Sequence, residues 1–248
     1  MLEKIAYCDA HFHLSSLLEF GEISFPEKWT GCTSCHSEKD FLLSRARGKG
    51  LPLSFGIHPQ SPDRILLTFL EGLLEKELVS AVGECGFDLY TEELRNQFTD
   101  QKTVFENQLE LAMKYNKPLV IHCRKGNHLL FEYTPELKKL PGVLFHSFMG
   151  SLVEAESFIK RGIVCYFSFG KQILNGNKKA MEMVSKLSLE NLLLETDAPF
   201  QFLKGEKYTP LRDIQKIYEK AVELRGDKNI NVFSERLGAN FRNFYGNQ

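Results

Sequence analysis

The chain of 248 residues is 43% hydrophobic and 25% charged, and its 31 Lys and Arg against 32 Asp and Glu give a formal net charge of -1. This composition excludes the disordered and fibrous classes and is typical of a globular protein with one large α/β domain or two small ones. The charge balance excludes a protein that holds nucleic acid through an overall basic field. A nucleic-acid substrate must therefore be inferred from local features.

The sequence contains no predicted membrane span or export signal. Residues 1–14 lack a basic segment followed by a longer apolar run, and no run elsewhere approaches the roughly 18 apolar residues of a membrane span. We therefore expect a soluble, cytoplasmic protein without a membrane partner.

The six cysteines divide into two groups. Four lie in or beside apolar strand-like runs, which is typical of buried, reduced thiols: Cys8, Cys85, Cys123 and Cys165. The other two belong to CTSCH at 32–36, which matches the pattern of c-type haem attachment. Because an export signal and a second metal-binding pair are both missing, we interpret Cys32 and Cys35 as surface thiols after a strand.

Short strand-like runs alternate with helix-like runs along the chain. Apolar residues recur at three- and four-residue spacing in the helix-like runs, as from Phe98 to Ala112, and Ser151 with Glu154 forms a capping-box pattern. The predicted strands are 4–9, 29–35, 51–59, 78–86, 118–123, 142–148, 162–170 and 191–197.

Eight such β-then-α units in this length predict a single (β/α)8 TIM-like barrel of the α/β class. The competing doubly wound sheet usually has a glycine-rich phosphate turn after its first strand, where this chain has AHFHL. No linker or repeat interrupts the pattern, so we assign residues 1–248 to one domain.

Polar, ionisable residues lie at the predicted carboxyl ends of the strands. The first group is Asp9, His11 and His13, which alternate in CDAHFHL and point to one side of an extended chain. In a barrel, the strand ends surround one pocket. The donors that converge there are His11, His13, Glu84, His122, His146 and Asp197. Six donors exceed the need of one ion, so we predict two divalent ions bridged by Glu84.

Three further strand-end residues receive other roles. His58 is followed at once by Pro59, which favours contact with the substrate. Glu195 shares a strand face with Asp197, and we expect it to hold a lysine or a ligating histidine. Asp9 lies two residues before His11 and deeper in the barrel, so we interpret it as an acid that orients a histidine.

The chain also resembles a known family. DAHFHL, GIHP, AVGECGFD, PLVIHCR, FHSFMG and LLLETDAPF, with LGANFRNFYG near the end, are similar to the motif series of TatD-type metal-dependent deoxyribonucleases of the amidohydrolase superfamily. The resemblance runs from Asp9 to about Asn243. It implies a TIM-like barrel with two divalent ions and hydrolysis of DNA ends. It further implies that His11, His13 and Asp197 hold one ion, that His122 and His146 hold the other, and that Glu84 bridges them.

From these residues we predict metal-assisted hydrolysis of single-stranded or frayed DNA ends. Asp197 could accept a proton from the water that the ions activate. The predicted phosphate contacts are Arg124, Lys125 and Lys171. His58, Phe12, Phe148 and Phe200 are the candidates to flank a terminal base. Magnesium, manganese and zinc all remain open as the metal.

Two alternatives remain. A deacylase or esterase of the same superfamily, acting on a small molecule or aminoacyl-tRNA, would use the same ligands. Glu84 stands where some amidases have a lysine, which favours phosphodiesters. The second alternative is a non-catalytic binding barrel, which would not need open metal positions.

Overall fold

The computed structural model describes residues 6–21, 23–48, 50–227 and 229–246. In these ranges eight parallel strands form one sheet in sequence order, and neighbours along the chain are neighbours in the sheet. The strands are β1 (Tyr7–Phe12), β2 (Trp29–Cys35), β3 (Leu53–Phe55), β4 (Ala81–Asp88), β5 (Leu119–Arg124), β6 (Val143–Phe145), β7 (Cys165–Phe169) and β8 (Leu192–Leu194).

Helices follow the strands and cover the outside of the sheet. They are α1 (Leu14–Leu18), α2 (Glu38–Arg47), α3 (Leu66–Glu75), α4 (Glu92–Asn96), α5 (Phe98–Lys114), α6 (Asn127–Leu130), α7 (Thr134–Leu137), α8 (Leu152–Lys160), α9 (Lys178–Lys186), α10 (Ile214–Arg225) and α11 (Ile230–Tyr245). Short 3-10 turns occupy Phe131–Tyr133, Lys171–Ile173, Leu189–Asn191 and Leu211–Asp213. The predicted capping box is present at α8, where the Ser151 and Glu154 side chains bond each other's backbone N–H groups.

The barrel closes between its first and last strands. The backbone N–H of Asp197 donates to the carbonyl of His11 at 2.9 Å, and that of His13 donates to the carbonyl of Ala198 at 2.7 Å. Side chains alternate between the two faces of each strand. Inward-facing Val120, Leu144 and Leu193 cluster with aromatic residues of α11. This helix closes the amino-terminal end of the barrel and leaves the carboxyl ends of the strands open.

The interpretation of Cys32 and Cys35 as surface thiols is wrong. Both lie within β2 and are buried. They are three residues apart and so face opposite sides of the strand. Cys32 belongs to the cluster inside the barrel, and Cys35 belongs to the layer between barrel and helices. A barrel strand is covered on both faces, which leaves neither thiol exposed.

The eight predicted strands are all present, and the (β/α)8 barrel is confirmed. The strand predicted at 29–35 has the observed bounds, whereas the strand predicted at 191–197 ends at Leu194. Residues 4 and 5 of the first predicted strand lie outside the described residues. The assignment of residues 1–248 to one domain stays a prediction. Within the described ranges, no helix is long and apolar enough to cross a membrane.

Candidate metal centre

Glu84 of β4 lies at the centre of a ring of imidazoles at the carboxyl ends of the strands. Its Oε2 atom is 3.2 Å from Nε2 of His11, 3.7 Å from Nε2 of His13 and 3.3 Å from Nε2 of His36. Its Oε1 atom is 3.4 Å from Nε2 of His58, 3.0 Å from Nδ1 of His122 and 2.8 Å from Nε2 of His146. Each carboxylate oxygen therefore faces three histidines, and six of the seven histidines of the chain meet at one residue.

The strand ends explain why residues far apart in sequence meet here. His11 lies in β1, and His13 directly follows this strand. His36 and His146 directly follow β2 and β6. Gly56 after β3 is also required: a Cβ there would lie 2.5 Å from the backbone of Gly83. Only glycine lets the chain after β3 pack this closely against the residue before Glu84.

Asp197 completes the group from the end of β8. Its Oδ1 atom lies 3.3 Å from Nε2 of His13 and 3.8 Å from Nε2 of His11. Its backbone has a left-handed φ of 52°, which is uncommon for a residue other than glycine. Gln201 donates from its side-chain amide to Asp197 Oδ2 at 2.9 Å. The structure thus brings together all six residues predicted as ligands.

Three buried carboxylates contact residues of the histidine ring, two at the imidazole and one at the backbone. Glu195 Oε1 lies 3.3 Å from Nδ1 of His146, the kind of contact expected from the sequence. Asp88, which the sequence analysis missed, lies 3.2 Å from Nε2 of His122. Asp9 accepts hydrogen bonds from the backbone N–H of His11 and from the N–H and hydroxyl of Thr196. Asp9 therefore contacts His11 through the backbone, and its role as an acid that orients a histidine stays a prediction.

Burial and the contacts among these histidines and carboxylates shift their pKa values in opposite directions. Burial would raise the pKa of Glu84, but His146, His11 and His58 lower it well below its ordinary value. Burial and the neighbouring His146 lower the pKa of His11. For His146 burial also acts to lower the pKa, yet Glu84 and Glu195 raise it well above its ordinary value. Burial lowers the pKa of His58 to about 4. Glu84 is therefore ionised at neutral pH, and the His58 ring is neutral.

The ring opens into a pocket of about 560 Å³. Arg124 lines it, with its guanidinium 3.6 Å from Asp88 and 4.1 Å above the ring of Tyr90. Lys125 lies further out, with Nζ 4.8 Å from the same aromatic ring. Phe200 lines the pocket, is 47% exposed and meets the His13 ring edge-on at 5.0 Å.

Other candidates for substrate contact are buried away from the pocket. Phe12 packs against Trp29, and Phe148 packs against Phe145 and Phe167 in the core. The prediction that Lys171 contacts phosphate is wrong. Its side chain is 1% exposed, and Nζ lies 2.5 Å from Glu206 and 2.6 Å from Asp213. Two carboxylates thus hold the ammonium group inside the protein.

His36 and Asp88 were not predicted as part of the site, although they lie at strand ends like the residues that were. His36 directly follows a strand, as His13 and His146 do, but it was attributed to the CTSCH pattern. Asp88 lies four residues after Glu84 in the same strand, so the two side chains share a face. Asp88 could be recognised only from the true end of β4, because the strand was predicted to end at residue 86, whereas the bounds of β2 were predicted correctly and His36 was visible from them.

This arrangement of imidazoles and carboxylates at the mouth of a parallel barrel defines the class of metal-dependent hydrolases. Within that class, the chain belongs to the family described as TatD-related DNase, which it matches over residues 8–246. The predicted family and its hydrolase activity are confirmed.

Individual relatives agree with the family assignment. The metal-dependent hydrolase YjjV of Escherichia coli (strain K12) is 32% identical over 179 residues, which are 69% of this chain and 68% of the relative. The 3'-5' ssDNA/RNA exonuclease TatD of Pantoea ananatis is 26% identical over 227 residues, covering 88% and 86% of the two chains. The crystal structure of YjjV from E. coli gives a TM-score of 0.84 at 26% identity and covers 98% of each chain.

Proposed function

We propose that this protein is an exonuclease-like deoxyribonuclease that hydrolyses phosphodiester bonds at single-stranded or frayed DNA ends with two divalent metal ions. The observation that carries the proposal is the position of Glu84, whose two oxygens each face three imidazoles in an open pocket beside Arg124. The name of the Pantoea ananatis relative, a 3'-5' ssDNA/RNA exonuclease, supports the substrate class and adds RNA to the substrates to be tested.

The donor atoms suit divalent cations. Nε2 of His11 and Nε2 of His13 lie 3.2 Å apart, and both approach carboxylate oxygens of Glu84 and Asp197. So many lone pairs and negative charges in one buried place are stabilised by cations. Imidazole nitrogens favour zinc or manganese, whereas magnesium prefers oxygen ligands. We assign His11, His13 and Asp197 to one ion, His122 and His146 to the other, and Glu84 to both.

Two divalent ions held by these residues would supply a water with a pKa near neutrality and positive charge beside the phosphate. The protein supplies the proton acceptor. Burial would raise the pKa of Asp197, but the hydrogen bond with His13 and the charge of His146 lower it, so its carboxylate is ionised and can take a proton. Gln201 holds the other oxygen of Asp197 and thereby fixes the direction of the carboxylate.

Arg124 and His58 are the proposed phosphate contacts. The Tyr90 ring beneath Arg124 and the Asp88 carboxylate beside it hold the guanidinium at the pocket wall, where it can bind two phosphate oxygens at once. The Nδ1 atom of His58 accepts a hydrogen bond from the backbone N–H of Gln60. A neutral His58 ring therefore carries its proton on Nε2 and can donate it to a phosphate oxygen.

The size and shape of the pocket favour a strand end over a duplex. Its volume of about 560 Å³ is that of a small-ligand site. Phe200 on the rim offers a face on which a terminal base can stack whatever its identity. Lys125 would meet a phosphate further along the strand. The net charge of -1 suits an enzyme that holds a few phosphates in one pocket and not a long duplex.

The test is a substrate screen of metal-loaded protein against end-labelled single-stranded DNA, double-stranded DNA, RNA and a panel of acyl esters. We expect cleavage of single-stranded ends that EDTA abolishes. Glu84→Gln should lose most of the bound metal and the activity, and the exposed Glu110→Gln should behave as the wild type. Protein that carries two ions per chain and hydrolyses an acyl ester but no nucleic acid would instead establish the deacylase alternative.

We also propose a cytoplasmic location for the protein. All six cysteines are buried and free in the structure. Disulfides form and persist mainly in oxidising compartments, so six reduced thiols support a reducing one. Fractionation of cells that express the tagged chain at its native level tests the location.

A further inference from the structure

His36 faces the metal centre and has no role in the ligand sets assigned above. It directly follows β2, and its backbone N–H donates to the carboxylate of Asp40 in the first turn of α2 at 3.4 Å. Its ring Nδ1 lies 3.2 Å from the carbonyl oxygen of Gly56. Its Nε2 lies 3.3 Å from Oε2 of Glu84. One end of the ring is thus held by the backbone directly after β3, and the other end faces the pocket.

The contact with Gly56 determines where the proton of this ring lies. A carbonyl oxygen can only accept a hydrogen bond, so Nδ1 of His36 must be the donor. Nε2 is then the ring nitrogen left to offer a lone pair to a metal ion. This atom is buried and has no hydrogen-bond partner of acceptable geometry within the described part of the chain. A divalent cation bound between this nitrogen and the Glu84 oxygen would give both atoms a partner.

His58 has the opposite arrangement, although it approaches the other oxygen of the same carboxylate. Its Nδ1 accepts from the Gln60 N–H, so Nε2 is the nitrogen that carries the proton, and it faces Glu84 Oε1 at 3.4 Å. At His58 the atom that faces Glu84 is therefore an N–H donor. At His36 it is the nitrogen without the proton, and this difference separates a possible metal ligand from a hydrogen-bond donor.

We propose that His36 is a further metal ligand, which binds through Nε2 the ion held by His13 on the Oε2 side of Glu84. This inference rests on the metal centre of the proposed function. The ligand atoms of His13, His36 and Glu84 all lie within 4.8 Å of one another. Two atoms bound to the same ion at about 2.0–2.2 Å are about 3–4 Å apart, so small shifts of the side chains suffice.

A third imidazole on this side has a consequence for the metal. His11, His13 and His36 would surround the Oε2 side of Glu84 with nitrogen donors. Nitrogen donors bind zinc, cobalt and manganese better than magnesium, which keeps oxygen ligands and several waters. We therefore expect this side of the centre to select a transition metal.

The test compares His36→Asn with the wild type, using Zn²⁺ and Co²⁺ alone as probes. Asparagine places its amide where Nδ1 was, so it keeps a donor for the Gly56 carbonyl and removes only the atom at the pocket. The matched control is His128→Asn, which changes the exposed histidine outside the ring. Circular dichroism and thermal unfolding in EDTA should be the same for all three proteins.

We expect His36→Asn to bind one of two Zn²⁺ ions at least about tenfold more weakly in competition with a chelator. In the Co²⁺ protein, a ligating histidine gives a proton resonance of its ring N–H that is strongly shifted by the metal. His36→Asn should lose one such resonance, and His128→Asn should lose none. A variant that keeps every shifted resonance and wild-type affinity for both ions would overturn the assignment.

These readouts do not depend on nuclease activity. If His36→Asn loses the resonance and the affinity while the wild type cleaves no nucleic acid, the ligand assignment stands and the proposed function fails. If the wild type cleaves DNA and His36→Asn binds metal normally, the ligand assignment fails alone. Wild-type protein that binds neither Zn²⁺ nor Co²⁺ would overturn both.

Discussion

Replacing Lys171 by methionine should destabilise the fold by about 3 kcal/mol without changing the affinity for DNA. Methionine fills a similar volume but removes the ammonium group that lies 2.6 Å from Asp213 and 2.5 Å from Glu206. Removing one partner of a buried ion pair typically costs about 3–5 kcal/mol, because the other charge is left uncompensated. We expect the lower end of this range. Glu206 is 31% exposed and can turn to water, and Lys216 remains 2.8 Å from Asp213.

Thermal unfolding measures the effect. A loss of about 1 kcal/mol lowers Tm by about 2–4 °C in a protein of this size, so 3 kcal/mol corresponds to about 6–12 °C. The matched control is Lys216→Met, which removes the other cation beside Asp213. Its side chain is 63% exposed, and an exposed pair contributes less than about 1 kcal/mol. The double variant Lys171→Met with Asp213→Leu should regain much of the lost stability, because it leaves no unpaired charge at Asp213.

Kinetics separate this structural role from the phosphate contact that the sequence suggested. The KM of Lys171→Met for single-stranded DNA should equal that of the wild type at a temperature where both proteins are folded. A Tm within about 2 °C of the wild type, or a raised KM with an unchanged Tm, would refute the reasoning.

Three other results are expected. Arg124→Ala should raise the KM for end-labelled single-stranded DNA at least about tenfold with unchanged metal content, since a charged hydrogen bond contributes about 1.5–3 kcal/mol; an unchanged KM would exclude the phosphate contact. The contacts with Lys171 lower the pKa of Asp213 against the effect of burial, so the ion pair contributes its full stability above the ordinary value of 3.8 and loses it as the pH falls through the lowered pKa. Urea unfolding should therefore give a constant difference between wild type and Lys171→Met near neutral pH and a shrinking one in acid, and a constant difference throughout would contradict this origin. A thiol reagent should label all six cysteines in urea but react far more slowly with the native protein, because burial raises thiol pKa values, that of Cys165 to about 12; rapid native labelling would show that the barrel opens.

The alternation of apolar strands and amphipathic helices was enough to predict the barrel. It was also enough to bring six ligand candidates together, because in a barrel every carboxyl strand end faces one pocket. The predicted carboxyl ends of seven strands differ from the observed ends by one to four residues. The run ending in Asp197 continues three residues past Leu194, where β8 ends, although the N–H groups of Glu195 and Asp197 still donate to the carbonyls of Phe169 and His11.

The sequence by itself determined the fold, the family and the residue types at the strand ends, since these depend on local periodicity and strand order. The tertiary structure decided which side chains turn inward and what they meet there. Lys171 follows a strand as a phosphate contact would, yet Glu206 and Asp213 hold it inside. His36 follows a strand within an unremarkable CTSCH motif, yet the Gly56 carbonyl fixes its proton and directs its lone pair at Glu84. Such partners lie far away in the chain, so no local pattern can reveal them.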